Sequence, residues 1–116
     1  MLEVTLPFPP SVNHYWRMWR NRMVLSAQGR AYPKTVAMLL RAQGVVRPLT
    51  GKLAVRVEVF PPDQRRRDLD NLLKGIGDSL QRGGAFLDDS QIIWLLIEKA
   101  QVVPHGKVLV QITERP

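Results

Sequence analysis

Apolar and polar positions along the chain fall into two patterns, one with the period of a strand and one with that of a helix. From Lys52 to Phe60 apolar residues take every second place, as in a half-buried strand, and Pro61-Pro62-Asp63 closes it. From Leu69 onward apolar residues fall at 69, 72, 73, 76 and 80, one face of a helix that runs to about Arg82. Gly83-Gly84 stops that helix. Leu2 to Leu6 reads as a first strand, ended by Pro7-Phe8-Pro9-Pro10, because proline cannot donate to a sheet ladder. Ser26 can cap a helix reaching about Gln43, with Val36, Leu39 and Leu40 as its stripe and Gly44 as its stop. Pro33 leaves two readings open: a kink in the second turn, or an irregular start with the regular helix beginning near Tyr32. Val45 to Gly51 is a connector. Gln91 to Ala100 reads as a strand whose run Ile92 to Ile97 is apolar on both faces, which marks a central strand covered on both sides. Pro104-His105-Gly106 turns into a last alternating strand, Lys107 to Glu114.

The order is therefore β, long loop, α, β, α, β, β. It predicts a single α/β (α+β) domain over residues 1–116, with a mixed four-stranded sheet packed by two helices. The loop, Ser11 to Leu25, has neither period, and a loop of this length in a compact domain is usually functional. It interleaves Asn13, Tyr15, Trp16 and Trp19 with Arg17, Arg20 and Arg22. Aromatic faces suit base stacking and guanidinium groups suit phosphates, while the same aromatics could equally close the core beneath the loop.

Charge sharpens the picture. Seventeen Lys and Arg against ten Asp and Glu give a net charge of +7, which points to a polyanionic partner, most often nucleic acid. With 45% hydrophobic residues the chain can bury a core, and disorder is excluded. No cysteine is present, so disulfides and thiolate chemistry are excluded, and His14 and His105 form no metal-spacing motif. The longest apolar run is too short to span a bilayer and the first residues lack the pattern of a signal peptide. A cytoplasmic protein with no membrane partner is expected.

Against this basic background the stretch Arg65-Arg66-Arg67-Asp68-Leu69-Asp70-Asn71-Leu72-Leu73-Lys74 is distinctive. Asp70 and Lys74 sit at i, i+4 on one helix face, and Asp68 either caps the helix or points into the same cleft. Asp88 and Asp89 precede the apolar strand. Were that strand to lie beside the one ending at Phe60, a carboxylate from each approach could meet Asp70. Clustered carboxylates repel unless protonated or bound to a cation, and Mg2+, held by few carboxylates plus substrate phosphate, suits them. Such a site hydrolyses phosphodiesters. Taken singly, the same residues read as a helix cap, a solvated ion pair, a solvated loop and a turn, in which case the chain is a non-catalytic DNA-binding protein. Gly75 and Gly77, unfavourable inside a helix, suggest close approach by another helix or a partner subunit.

At these residues the sequence resembles the RusA-type Holliday-junction resolvases. Arg65 to Lys74 is similar to that family's signature, and Leu87-Asp88-Asp89 to its second acidic element. Leu6-Pro7-Phe8-Pro9-Pro10-Ser11-x-Asn13, and Ser26-Ala-x-Gly29 followed by Ala31-Tyr32, match two further motifs. The likeness covers essentially the whole chain; Pro33, the tryptophan-rich loop, Gly75 and Gly77 depart from it. It implies a homodimeric endodeoxyribonuclease that cuts two opposing strands of a four-way DNA junction. The implied cofactor is Mg2+, for which Mn2+ can substitute, without any small-molecule organic cofactor. The implied metal ligands are Asp68, Asp70 and Asp89, with Lys74 as a further catalytic residue. On the nuclease reading the candidate DNA contacts are Arg65, Arg66, Arg67, Asn71, Asn13, Tyr15, Trp16, Arg17, Arg20 and Arg22. A metal nuclease acting on other branched DNA is the nearest alternative.

Overall fold

A computed structural model describes residues 1–10 and 16–116. Strand β1 (Leu2–Leu6) leads to a hairpin, β2 (Trp16–Trp19) and β3 (Arg22–Leu25), followed by helix α1 (Ala27–Ala42). Then come β4 (Lys52–Phe60), helix α2 (Leu69–Arg82), a short 3-10 turn (Asp89–Gln91), β5 (Ile92–Lys99) and β6 (Lys107–Arg115). The main sheet runs β1-β6-β4-β5; β5 pairs parallel with β4, and the other pairings are antiparallel. The expected mixed four-stranded sheet with two helices is thus the architecture of the protein.

Alternation in β4 buries Val55, Val57 and Val59 on one face and leaves Arg56 and Glu58 on the other. Val4, Leu6, Val108, Val110 and Ile112 extend the buried face, and Val36, Leu40, Leu72, Ile76 and Leu80 of the two helices close over it. The opposite face carries Arg56, paired to Glu98 at 3.4 Å, and Gln111, donating to Glu3 at 3.0 Å, beside the exposed Trp94 and Leu96.

Two details differ from the sequence expectation, and a third decides between the two readings of Pro33. The aperiodic stretch folds back on itself from Trp16 to Leu25, through a two-residue turn whose residues, Arg20 and Asn21, both have positive φ, as primed hairpin turns require. The run Ile92–Ile97 forms an edge strand: β5 has one neighbour, and Ile93, Trp94, Leu95 and Leu96 are exposed. Its two-sided apolarity is therefore not explained by cover from the described residues. Helix α1 begins directly after Ser26, whose hydroxyl accepts from the Gly29 N–H at 3.0 Å, and passes through Pro33. Its first half is anchored by the Tyr32 hydroxyl, which donates to the Pro7 carbonyl at 2.6 Å.

The close helix approach occurs at Gly83. A Cβ there would lie 2.9 Å from the Ser79 carbonyl oxygen and 3.1 Å from the Ala37 nitrogen of α1. At Gly77 a Cβ would meet nothing within 4 Å, because that residue opens onto a cleft.

Candidate active site

The cleft has a volume of about 720 Å3 and lies between α2 and the exposed edge of the sheet. Val55, Val57 and Phe86 line its floor and Ile93, Trp94 and Leu95 of β5 line one wall. Its polar lining comes from Asp70, Lys74, Asp78 and Asp89. Three of these recur at i, i+4 and i+8 on α2, so the spacing that buries Leu72, Ile76 and Leu80 on the neighbouring stripe aims a charged row into the cleft. Asp78 escaped the sequence reading, although the 70–74–78 stripe was its signal. It is paired with Arg82 at 3.4 Å.

The two acidic elements meet the cleft at different ends. Asp70 stands in the first turn of α2, whereas Asp89 is bound through its backbone to Gln81 near the last. Eleven residues of helix separate Asp70 from Gln81, roughly 16 Å at 1.5 Å per residue. In keeping with that separation, no three His, Asp or Glu side chains gather into a metal-binding group among the described residues.

Asp68 takes the N-cap position of α2, and its carbonyl accepts from the Leu72 N–H at 3.2 Å, yet its carboxylate makes no capping hydrogen bond. It is exposed and lies outside the cleft lining. Asp88 and Asp89 have separate tasks. The Asp88 carboxylate accepts from the Ser90 N–H at 3.0 Å within a capping box completed by Gln91. Hydrogen bonds from Ser90 hold its carboxyl below the usual carboxylate range. Asp89 is left to face the cleft.

The loop before α2 is ordered by its own charges. Asp63 accepts from the Arg65 N–H at 2.9 Å and from the Arg67 guanidinium at 2.7 Å. Arg67 also lies over the Phe8 ring, 5.1 Å from its centroid, and the Lys99 ammonium donates to the Arg67 carbonyl at 2.9 Å. The three arginines therefore differ. The Arg67 side chain is only 19% exposed and turned inward, while that of Arg65 is 83% exposed with a long 3.8 Å approach to Asp63. Arg66 is exposed and has no ion-pair partner among the described residues. Asn71 is exposed on the first turn of α2. Trp16, Arg17, Arg20 and Arg22 belong to the β2–β3 hairpin by their backbone, and Asn13 and Tyr15 lie outside the described residues. No helix among the described residues is long and apolar enough to cross a membrane.

The family model of endodeoxyribonuclease RusA matches residues 7–113 of the chain. The chain is 40% identical over 112 residues to the crossover junction endodeoxyribonuclease rusA of Enterobacteria phage 82, covering 97% of this chain and 93% of that relative. The same identity and coverage hold for the crossover junction endodeoxyribonucleases RusA of Escherichia coli K12 and of Shigella sonnei Ss046.

Proposed function

The chain belongs to the RusA endodeoxyribonuclease family, and from that premise we propose that it resolves four-way (Holliday) DNA junctions in recombination and repair, by metal-assisted hydrolysis of the phosphodiester backbone. The observation that carries this reading is the cleft itself, which Asp70, Lys74 and Asp89 all line in a chain of net charge +7.

The donor set fits Mg2+: hard carboxylate oxygens, few enough to leave places for water and a phosphate oxygen. Asp70 from one copy and Asp89 from a second would hold the ion, with the uncapped Asp68 carboxylate at the helix entrance. When bound there, Mg2+ would supply polarisation of the phosphoryl oxygen and activation of water. Lys74 steadies negative charge on the reacting phosphate. Arg66 and Arg65, with Asn71, would carry the DNA backbone past the cleft, and Asn13, Tyr15, Trp16, Arg17, Arg20 and Arg22 are the further candidate DNA contacts. Arg67 serves the same surface indirectly, by shaping the loop.

Paired symmetric cuts require two copies of the site about a two-fold axis. The unpaired edge of β5 supports the seam of that homodimer, because an exposed, apolar edge strand is a template for another strand. Antiparallel pairing of β5 with β5 of a second copy sets both clefts on one face and runs the two α2 helices in opposite directions. The Asp70 end of one cleft would then neighbour the Asp89 end of the other.

The test is cleavage of a mobile four-way junction with and without Mg2+, mapped on all strands. Paired cuts at symmetric positions on opposing strands, dependent on the metal, are expected. Salt-dependent binding without nicking would reduce the protein to a DNA-binding module. Equal cleavage of other branched DNA would change the substrate.

A further inference from the structure

The loop that delivers Asp89 is held from two sides by glutamines. Gln91 secures the side next to the connector after α1. Its Oε1 accepts from the Leu87 N–H at 2.9 Å and the Asp88 N–H at 2.8 Å, and its Nε2 donates to the Leu49 and Gly51 carbonyls, both at 2.9 Å. Two donors and two acceptor lone pairs are all that a glutamine amide offers, so Gln91 is fully engaged as a rivet. Asp88 is likewise committed to its cap.

Gln81 is different. It lies on the same helix as Asp70 and Lys74, and its Oε1 accepts from the Asp89 N–H at 3.1 Å. That bond ties the backbone of a cleft-lining carboxylate directly to the helix that carries the other charged groups. Neither the core nor an ion pair accounts for a glutamine here, since the side chain is only half-buried. We infer that Gln81 is a positioning residue for Asp89, acting through the Asp89 backbone to fix the direction in which its carboxylate enters the cleft. The inference rests on the nuclease reading of that cleft.

Two substitutions separate positioning from mere stability. Gln81→Met keeps the length of the side chain and its helix propensity but removes the acceptor, whereas Gln81→Glu keeps an acceptor oxygen in place. Gln81→Met should lower kcat and raise the Mg2+ concentration for half-maximal junction cleavage by about tenfold, the usual loss for an outer-shell partner. The KM for the junction should not move, and Gln81→Glu should retain the wild-type metal requirement. Amide exchange read by NMR on the metal-free protein supplies a second readout: Asp89 N–H protected in the wild type and in Gln81→Glu, exchanging freely in Gln81→Met. Wild-type kcat and metal requirement in Gln81→Met would overturn the inference, as would equal losses in both variants. So would a freely exchanging Asp89 amide in the wild type, which decides the matter even if Gln81→Met fails to fold. Asp89→Asn distinguishes the two levels. If it cleaves normally, the reading of the cleft itself fails; if it is inactive while Gln81→Met is normal, only the positioning role does.

Discussion

The Arg67 guanidinium donates to the Asp63 carboxylate at 2.7 Å, so one member of a basic triplet is spent inside the protein. The bond spans i to i+4 without a helix and shapes the loop that enters α2 one residue later, at Asp68. The Lys99 ammonium on the Arg67 carbonyl ties the same point to the end of β5.

It follows that the arginines will separate in a binding assay. Arg66→Ala should weaken junction binding evenly across sequences and reduce the slope of log K against log salt by about 1, the loss of one phosphate contact. Arg67→Ala should leave that slope unchanged and lower the thermal stability instead. Equal slope changes for the two variants would place Arg67 on the DNA.

The same bond gives a pH signature. Hydrogen bonds from the Arg67 side chain and the Arg65 backbone hold the Asp63 carboxyl at about 2, below its ordinary 3.8. A carboxyl depressed in the folded state stabilises fully above its unfolded value and loses that contribution as pH falls through the folded one. Thermal melts of wild type and Asp63→Asn should therefore differ by a constant amount from pH 5 to 8 and converge on approach to pH 2. A difference that persists undiminished at pH 2 contradicts the assignment.

Much of this arrangement could be read from the sequence, and what could not has a physical cause. The 69, 72, 73, 76, 80 stripe located α2, and the alternation from Lys52 located β4, because each period follows from backbone geometry. The position of β5 was not legible: a strand apolar on both faces suits a sheet centre and an edge awaiting a second chain alike. The hairpin was hidden by its turn, where Arg20 and Asn21 adopt positive φ without the usual glycine. Among the site residues, the sequence pointed to Asp70, Lys74 and Asp89, which the fold brings to one cleft. Gln81 left no pattern, since a single amide reaching a loop backbone obeys no spacing.

The edge strand gives a test of assembly. Leu96→Lys places a charge on the open face of β5, away from the cleft lining, where a lysine blunts edge pairing. Sedimentation should show wild type as a dimer and the variant as a monomer, with paired cleavage of the junction lost. A variant that stays dimeric would move the seam elsewhere.

The cleft floor is also core. Phe86 is 1% exposed and lines the cavity from below, so Phe86→Ala should cost about 3–5 kcal/mol in chemical denaturation. A cost under about 1 kcal/mol, the level of a surface change, would mean that the floor is not packed as described.

The most direct measurement is junction cleavage by Asp70→Asn, set beside junction binding in low-salt EDTA. The substitution keeps the shape of the side chain and removes the charge that the metal requires. Losing several kcal/mol of transition-state stabilisation should slow cleavage by more than about a hundredfold, while binding remains close to that of the wild type. An Asp70→Asn protein that cuts the junction at the wild-type rate would contradict the account.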